Sequence, residues 1–343
     1  MVAAFSLSLA ALFASGAAFA ATSPFEDAFR AGLVALQSND LRSAETNLQT
    51  ASRLQPSNGR VWIALAQTWR KLHEDQKADS AAEQAARLAP ADKVVVQSLA
   101  IYYSESGATL KAAGAQARYA VLAPTDGAAR ERAETLYFEA VQPLLKQEKF
   151  SEAIEVLEAA RKQLAGSAQL ELALGVAYYG LRRFDDAAGA FLRTVAINPG
   201  LEQPYRFLGR FLDQIPARLP EVTRIAAAFE KTNPISPAGY LLHARALNAE
   251  SKDPEAALTL LQKALTLDGR DSSAQFELGT VFDRLQRLPD AVQAFEKATA
   301  LDPSDPAAHY RLARDYERLG RTAEAQAERD KHARLTRTQD ASR

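Results

Sequence analysis

Apolar residues recur along the chain with the spacing of short amphipathic helices arranged in pairs. In residues 168–201, one helix is predicted by Leu170, Leu174, Ala177, Tyr178 and Leu181. A second helix is predicted by Ala187, Ala190, Phe191, Val195 and Ile197. Arg182 and Arg183 supply the turn between them, and Asn198, Pro199 and Gly200 end the second helix. Neither helix can bury its apolar stripe alone, so the pattern predicts helices that stack on their neighbours.

The same pair of helices is repeated along the chain at a fixed interval. Residues 182–199 read RRFDDAAGAFLRTVAINP, and residues 287–303 read RLPDAVQAFEKATALDP. Alanines recur 34 or 35 residues apart, with gaps of 41 residues before Ala153 and 69 before Ala256; they are Ala44, Ala78, Ala112, Ala153, Ala187, Ala256, Ala291 and Ala325. Prolines follow the same interval at Pro56, Pro90, Pro124, Pro199 and Pro303. A period of this size indicates an array of stacked repeats.

The residues at fixed places in each unit resemble the tetratricopeptide repeat family. In residues 59–92 they are Trp62, Leu65, Ala66, Trp69, Ala78, Ala82, Ala85 and Pro90. In residues 272–305 they are Leu278, Gly279, Phe282, Ala291, Phe295, Ala298 and Pro303. The resemblance implies an all-α, right-handed superhelical solenoid of antiparallel helix-turn-helix hairpins, with about eight to nine units. The units are predicted near residues 25–58, 59–92, 93–126, 134–167, 168–201, 202–236, 237–271, 272–305 and 306–339.

Small residues occupy one place on the first helix of most units, and they predict a close approach of the two helices. They are Gly32, Ala66, Ala100, Gly175, Gly209, Ala244, Gly279 and Ala313. Several units depart from the pattern. Residues 127–133 form an insert before the fourth unit, and Pro143 is expected to kink its first helix. The sixth unit has Pro216 and Pro220 where a clean turn is expected, and the ninth is expected to be an exposed terminal cap.

The first residues of the chain differ from everything that follows. Residues 1–20 carry no charge and end in Ala18-Phe19-Ala20, which is typical of a signal-peptidase site. No Lys or Arg precedes the apolar stretch, which departs from the usual signal peptide. The alternative is an uncleaved membrane anchor formed by residues 2–21. Either interpretation predicts an exported protein, in the periplasm or cell envelope if the source is bacterial.

Composition and motifs argue against several classes of function. The chain has 41 Lys and Arg against 42 Asp and Glu, so we expect no nucleic-acid partner. It has no cysteine, which excludes disulfides and thiol chemistry. The four histidines are far apart, and no phosphate-binding, nucleophile-elbow or metalloprotease motif is present. We therefore expect no catalytic residues, no bound metal, no cofactor and no enzymatic activity.

The resemblance implies a concave groove lined by side chains of the first helices. Carrying the family's groove positions over to this chain gives Phe138, Leu172, Val176, Tyr179, Arg206, Arg210, Arg245, Phe276, Tyr310 and Arg314. Arginines interleaved with aromatic residues are suited to gripping an extended acidic or aromatic peptide. The alternative is that these arginines pair with Asp213, Asp283 and Glu317 and only solvate the groove.

The sequence therefore predicts a non-enzymatic adaptor or scaffold of the cell envelope that holds one or more partner proteins, or segments of them, in its groove. The second hypothesis is a structural subunit of an envelope assembly or polysaccharide-export machine. Homo-oligomerisation is open under both hypotheses, and no lipid partner is expected beyond the N-terminal anchor. Repeat arrays share a scaffold while their functions diverge, so the sequence does not name the partner.

Overall fold

The computed structural model describes residues 23–341, with side chains through residue 338. The segment interpreted as a signal peptide or anchor lies outside these residues. Every regular element of the described part is an α-helix or a short 3₁₀ turn, as the all-α prediction required. The chain forms two compact units that divide between Gly166 and Ser167. In both units consecutive helices pack in pairs, so the predicted solenoid of helical hairpins is confirmed.

The described part of the first unit, residues 23–166, contains eight helices. They are α1 (Pro24–Gln37), α2 (Leu41–Leu54), α3 (Gly59–Lys71), α4 (Asp75–Leu88), α5 (Lys93–Glu105), α6 (Thr109–Leu122), α7 (Gly127–Lys146) and α8 (Phe150–Gln163). Its core combines alanines with a few large side chains, among them Leu65, Trp69 and Leu99. The alanines let the helices lie close together, because each contributes only a methyl group to the contact.

Through residue 341, the second unit contains ten helices and two 3₁₀ turns. The helices are α9 (Ala168–Gly180), α10 (Phe184–Ile197), α11 (Gln203–Leu208), α12 (Leu219–Thr232), α13 (Pro237–Ala249), α14 (Pro254–Leu267), α15 (Ser272–Arg284), α16 (Leu288–Leu301), α17 (Pro306–Arg318) and α18 (Thr322–Ala341). The 3₁₀ turns, Leu212–Gln214 and Pro216–Arg218, lie between α11 and α12.

Most turns inside the hairpins contain one residue in the left-handed backbone region. Asn39, His73, Arg182 and Gln286 have φ near 60°, and Gly320 has φ 72°. A single left-handed residue ends the first helix and reverses the chain within three residues. His73 therefore holds a turn position.

The close approach predicted at the small residues is confirmed in three hairpins. A Cβ atom added at Gly32 would lie 2.6 Å from Leu48 Cγ. At Gly175 and Gly279 it would lie 2.4 Å and 2.7 Å from the Cε1 atoms of Phe191 and Phe295. Distances this short leave no room for a side chain, so glycine on the first helix admits the large residue on the second.

The same prediction is wrong at Gly209. This residue follows the six-residue helix α11, and an added Cβ would meet Arg245 Nη1 at 3.3 Å rather than the second helix of its hairpin. The first helix of the sixth unit stops at Leu208 and is replaced by the two 3₁₀ turns. Pro216 begins the second 3₁₀ turn and Pro220 lies in the first turn of α12, positions that proline tolerates.

The predicted insert, residues 127–133, is the beginning of a helix. Helix α7 runs without interruption for 20 residues, with Pro143 in its last turn. Ala129 and Ala133 are fully buried, and Gln116 Nε2 donates to Ala129 O at 3.2 Å. The insert therefore lengthens the first helix of the fourth unit and packs on α6.

The last hairpin, α17 and α18, is joined by buried polar contacts. His309 is 3% exposed; its Nδ1 contacts Glu328 and its Nε2 lies 3.0 Å from Pro303 O. Burial raises the pKa of Glu328, but hydrogen bonds from Lys331 and His309 outweigh this and hold it below its usual value. Arg329 is exposed, as expected for a terminal unit, and pairs with Glu317.

Candidate functional site

Two adjoining cavities lie along the first helices of the second unit. The first, of about 280 Å³, lies between α11, α13 and the start of α15, and its lining includes Arg206, Arg210, Leu241, Arg245 and Arg270. The second, of about 360 Å³, is lined by residues that include Arg210, Arg245, Phe276, Glu277, Arg284 and Arg311. Gly209, Arg210 and Arg245 line both. We call the two cavities together the arginine groove.

The broken first helix of the sixth unit shapes this groove. Because α11 ends at Leu208, the carbonyl oxygen of Gly209 is not used in a helix, and it accepts a hydrogen bond from Arg245 Nη1 at 3.2 Å. Phe207 and Phe211 anchor the irregular segment, since their rings pack on Tyr179 at centroid distances of 6.0 and 5.4 Å. If the first helix of this unit ran to full length, the groove beside it would have a different shape.

A chain of polar contacts crosses the floor of the groove. Arg245 Nε donates to Glu277 Oε1 at 3.0 Å, and both side chains are more than four-fifths buried. Asn248 Nδ2 lies 3.5 Å from Glu277 Oε2. Arg284 Nη1 donates to the backbone and side-chain oxygens of Asn248 at 2.8 and 2.5 Å. The network holds two guanidinium groups in defined positions before any ligand arrives.

The predicted groove arginines fall into two classes. Those of the first class are neutralised by a carboxylate of the fold. Arg206 Nε donates to Glu202 at 2.6 Å, and Arg245 pairs with Glu277. Arg314 pairs with Asp283 and with Asp315, so its charge is satisfied within the fold.

Arg210 forms the second class. It is exposed, its guanidinium lies 5.0 Å from the ring centre of Phe207, and no carboxylate among the described residues pairs with it. The two interpretations of the arginines therefore apply to different residues.

The predicted apolar and aromatic residues are more dispersed. Phe276 lines the groove and packs edge-to-face on Phe295. Tyr179 is half-buried in the aromatic cluster with Phe184, Phe207 and Phe211.

The remaining predicted residues lie outside the groove. Leu172 and Val176 are half-buried on α9, and Tyr310 is 54% exposed beside His332. Phe138 is half-buried on α7, in the first unit. The structure thus brings Arg206, Arg210, Arg245 and Phe276 together, and the other six positions do not line either cavity.

Sequence reasoning missed several groove residues. Arg284, Arg311, Glu277 and Asn248 line the second cavity but were not predicted. A signal was present for Arg311, which directly follows Tyr310, one of the positions that the family resemblance placed in the groove. Those positions assume a regular first helix in every unit, and the short helix α11 changes which neighbouring side chains reach the cavity.

The groove offers hydrogen-bond donors and apolar contacts. Tyr205 borders the first cavity, and burial raises the pKa of its hydroxyl to about 12, so the group is neutral and donates to Pro199 O at 3.0 Å. Within residues 23–338 no three His, Asp or Glu side chains are grouped as metal ligands require. Guanidinium groups beside Phe276 and Leu241 favour a ligand with both acidic and apolar parts.

The family model described as tetratricopeptide repeat matches residues 29–93, 138–202, 241–306 and 276–330, which together cover more than half of the chain. The chain belongs to the tetratricopeptide repeat family. Proteins of this family generally mediate protein–protein interactions. No curated protein matches the chain in sequence. In the described part of this tetratricopeptide repeat chain, no helix has the length and apolarity needed to cross a membrane.

Three solved structures are among those that the chain is similar to. A thermophilic TPR protein of Thermus thermophilus is 25% identical and has a TM-score of 0.44; the match covers 49% of this chain and 91% of that one. MamA from Desulfovibrio magneticus RS-1 is 19% identical with a TM-score of 0.35, covering 60% and 97%. MamA of AMB-1 is 21% identical with a TM-score of 0.36, covering 60% and 93%.

Proposed function

We propose that this tetratricopeptide repeat chain is a non-enzymatic scaffold that binds an extended segment of a partner protein in the arginine groove. The observation that supports this most directly is the pair of adjoining cavities, about 280 and 360 Å³, joined through Gly209, Arg210 and Arg245. A ligand that fills both must be elongated, and a peptide segment with alternating side chains meets that requirement.

The contacts that position the groove residues also support binding. Arg245 lies on α13 and Phe276 lies on α15, and both helices are packed in the repeat array. The ion pair between Arg245 and Glu277 joins the two helices at the floor of the groove. A preformed site leaves most of the ordering cost to the partner segment. The affinity then depends on a few anchored side chains of the partner.

Filling the groove with large side chains is expected to abolish partner capture. The bait is residues 21–343, immobilised and exposed to a cell-envelope extract of the source organism. The variant Ala249→Trp/Ser273→Trp places one indole at each cavity, at two exposed positions of the lining. We expect a captured protein that the wild-type bait retains and this variant loses, measured by quantitative mass spectrometry.

The matched control introduces two tryptophans at exposed positions outside the groove. Thr259 and Gln262 are exposed on α14 and line neither cavity. Thr259→Trp/Gln262→Trp is expected to retain the partner at the wild-type level. Equal retention by both double variants would refute the groove as the binding site. Thermal unfolding of each bait checks that the indoles leave the fold intact.

We further propose that the chain is exported and cleaved after Ala20, on the basis of the uncharged apolar residues 1–20 and the Ala18-Phe19-Ala20 pattern. Expression of residues 1–343 in a bacterial host is expected to yield a periplasmic protein whose N-terminal sequence starts at Ala21. The variant Ala18→Leu/Ala20→Leu should accumulate uncleaved. An intact wild-type chain in the membrane fraction would favour the anchor, and an intact cytoplasmic chain would exclude export.

A further inference from the structure

Three arginines that line the second cavity have no carboxylate partner among the described residues. They are Arg210, Arg284 and Arg311, which come from three different repeats. The other charged groups of the lining are mostly neutralised, since Glu277 pairs with Arg245 and Asp283 pairs with Arg314 and Arg318. Asp213 is the single lining carboxylate without a partner in the described part. Unpaired positive charge therefore exceeds unpaired negative charge in this cavity.

Two of the three guanidinium groups are held in place by neutral contacts. Arg284 uses Nη1 for both of its bonds to Asn248, and its Nη2 and Nε have no partner among the described residues. Arg210 lies over the ring of Phe207 at 5.0 Å. Arg311 is half-buried and makes no hydrogen bond with any described residue. Held but unsaturated guanidinium groups favour a planar anion that accepts two hydrogen bonds from one arginine.

We propose that the second cavity recognises a carboxylate of the bound peptide segment, through Arg210, Arg284 and Arg311. This inference rests on the proposed function and specifies what the partner segment must contain. The carboxylate comes from an Asp or Glu side chain or from a C-terminus. The cavity continues into the first one past Arg210, so the occupant extends beyond the anionic group, and Phe276 offers an apolar contact beside it.

The test uses two synthetic libraries of random twelve-residue peptides as probes against residues 21–343. One library has amidated C-termini and the other has free C-terminal carboxylates. We expect selected amidated peptides to be enriched in Asp and Glu if a side chain supplies the carboxylate. If a C-terminus supplies it, binders come only from the second library and lose affinity when amidated. Selected peptides with neither property would overturn the proposal.

Charge-neutral variants locate the recognition. Arg210→Gln/Arg284→Gln/Arg311→Gln is expected to weaken the selected peptides by about tenfold or more, as measured by fluorescence anisotropy. The control Arg224→Gln/Lys231→Gln/Lys263→Gln removes the same charge from exposed positions of α12 and α14 that do not line the groove. The control should bind like the wild type. If both variants weaken peptide binding equally, the effect comes from the lower net positive charge of the protein and not from the cavity, and the proposal is overturned.

Two single tests distinguish a failure of carboxylate recognition from a failure of the proposed function. Arg311→Gln removes no hydrogen bond or ion pair made within the described residues, so it tests recognition with little effect on the fold. We expect it alone to weaken binding. Some peptides could be excluded by Ala249→Trp/Ser273→Trp and still be bound by the triple arginine variant. That result would contradict carboxylate recognition and leave the proposed function standing. Peptides that neither variant affects would refute both.

Discussion

Replacing Gly175 by leucine is expected to lower the free energy of unfolding by about 1–3 kcal/mol. Any Cβ at this position would lie 2.4, 2.6 and 2.8 Å from three ring carbons of Phe191. The ring cannot move aside easily, because Phe191 is fully buried and stacks on Phe207 at 5.0 Å. Gly175→Ala should already destabilise the protein, and urea unfolding followed by circular dichroism measures both variants.

Gly189 provides the matched control for this prediction. It lies on α10, in the same hairpin, and an added Cβ would meet only Arg193 Nη1, at 3.4 Å, and Arg218 Nη2, at 3.9 Å. Gly189→Ala is therefore expected to leave stability unchanged or raise it by about 0.5–1 kcal/mol, since alanine favours a helix over glycine. If Gly175→Ala unfolds at the same urea concentration as the wild type, the close approach of α9 and α10 is wrong.

A double-mutant test isolates the contact itself. Adding Phe191→Leu removes the ring carbons that clash with the new Cβ. The pair then resembles Ala244 and Leu261, which are buried together in the core of the seventh and eighth repeats. The penalty of Gly175→Ala should be smaller in the Phe191→Leu background than in the wild type.

Removing Arg314 and Arg318 together is expected to cost about 3–5 kcal/mol. Asp315 has no exposed side-chain surface, and its Oδ1 accepts from Arg314 and Arg318 at 3.2 and 3.1 Å. Both arginines also pair with Asp283, which is 15% exposed. In Arg314→Met/Arg318→Met the charge of Asp315 is left buried without a counter-ion. The loss is measured by urea unfolding at neutral pH.

Two comparisons separate this effect from the loss of surface charge. Adding Asp315→Asn to the double variant removes the stranded charge and should restore part of the stability. Arg183 and Arg287 each form an exposed pair with an aspartate three residues away, so Arg183→Met/Arg287→Met should change stability by about 1 kcal/mol or less. An equal loss in the two double variants would show that burial of Asp315 has no special role.

The candidate site was only partly predictable from sequence because its ion pairs join different repeats. Arg245 pairs with Glu277 across 32 positions, and Arg314 pairs with Asp283 across 31. The alternative partners proposed from sequence were Asp213, Asp283 and Glu317. Of these, only Asp283 pairs with a predicted groove arginine; Glu317 pairs with Arg329 instead. Family positions identify the helix face that a side chain occupies, but they do not show which oppositely charged groups come within reach.

The sequence by itself determined the helical hairpins, their period and the close contacts at Gly32, Gly175 and Gly279. Apolar spacing along each helix is a local property, and Gly175 and Gly279 are each matched by a phenylalanine 16 residues later in the same hairpin. Only the tertiary structure decided the course of residues 127–133, the early end of α11 and the pairing of the arginines. These depend on how neighbouring repeats pack, and an irregular unit breaks the periodicity from which sequence reasoning starts. The unpaired charge at Arg210, Arg284 and Arg311 follows from that packing.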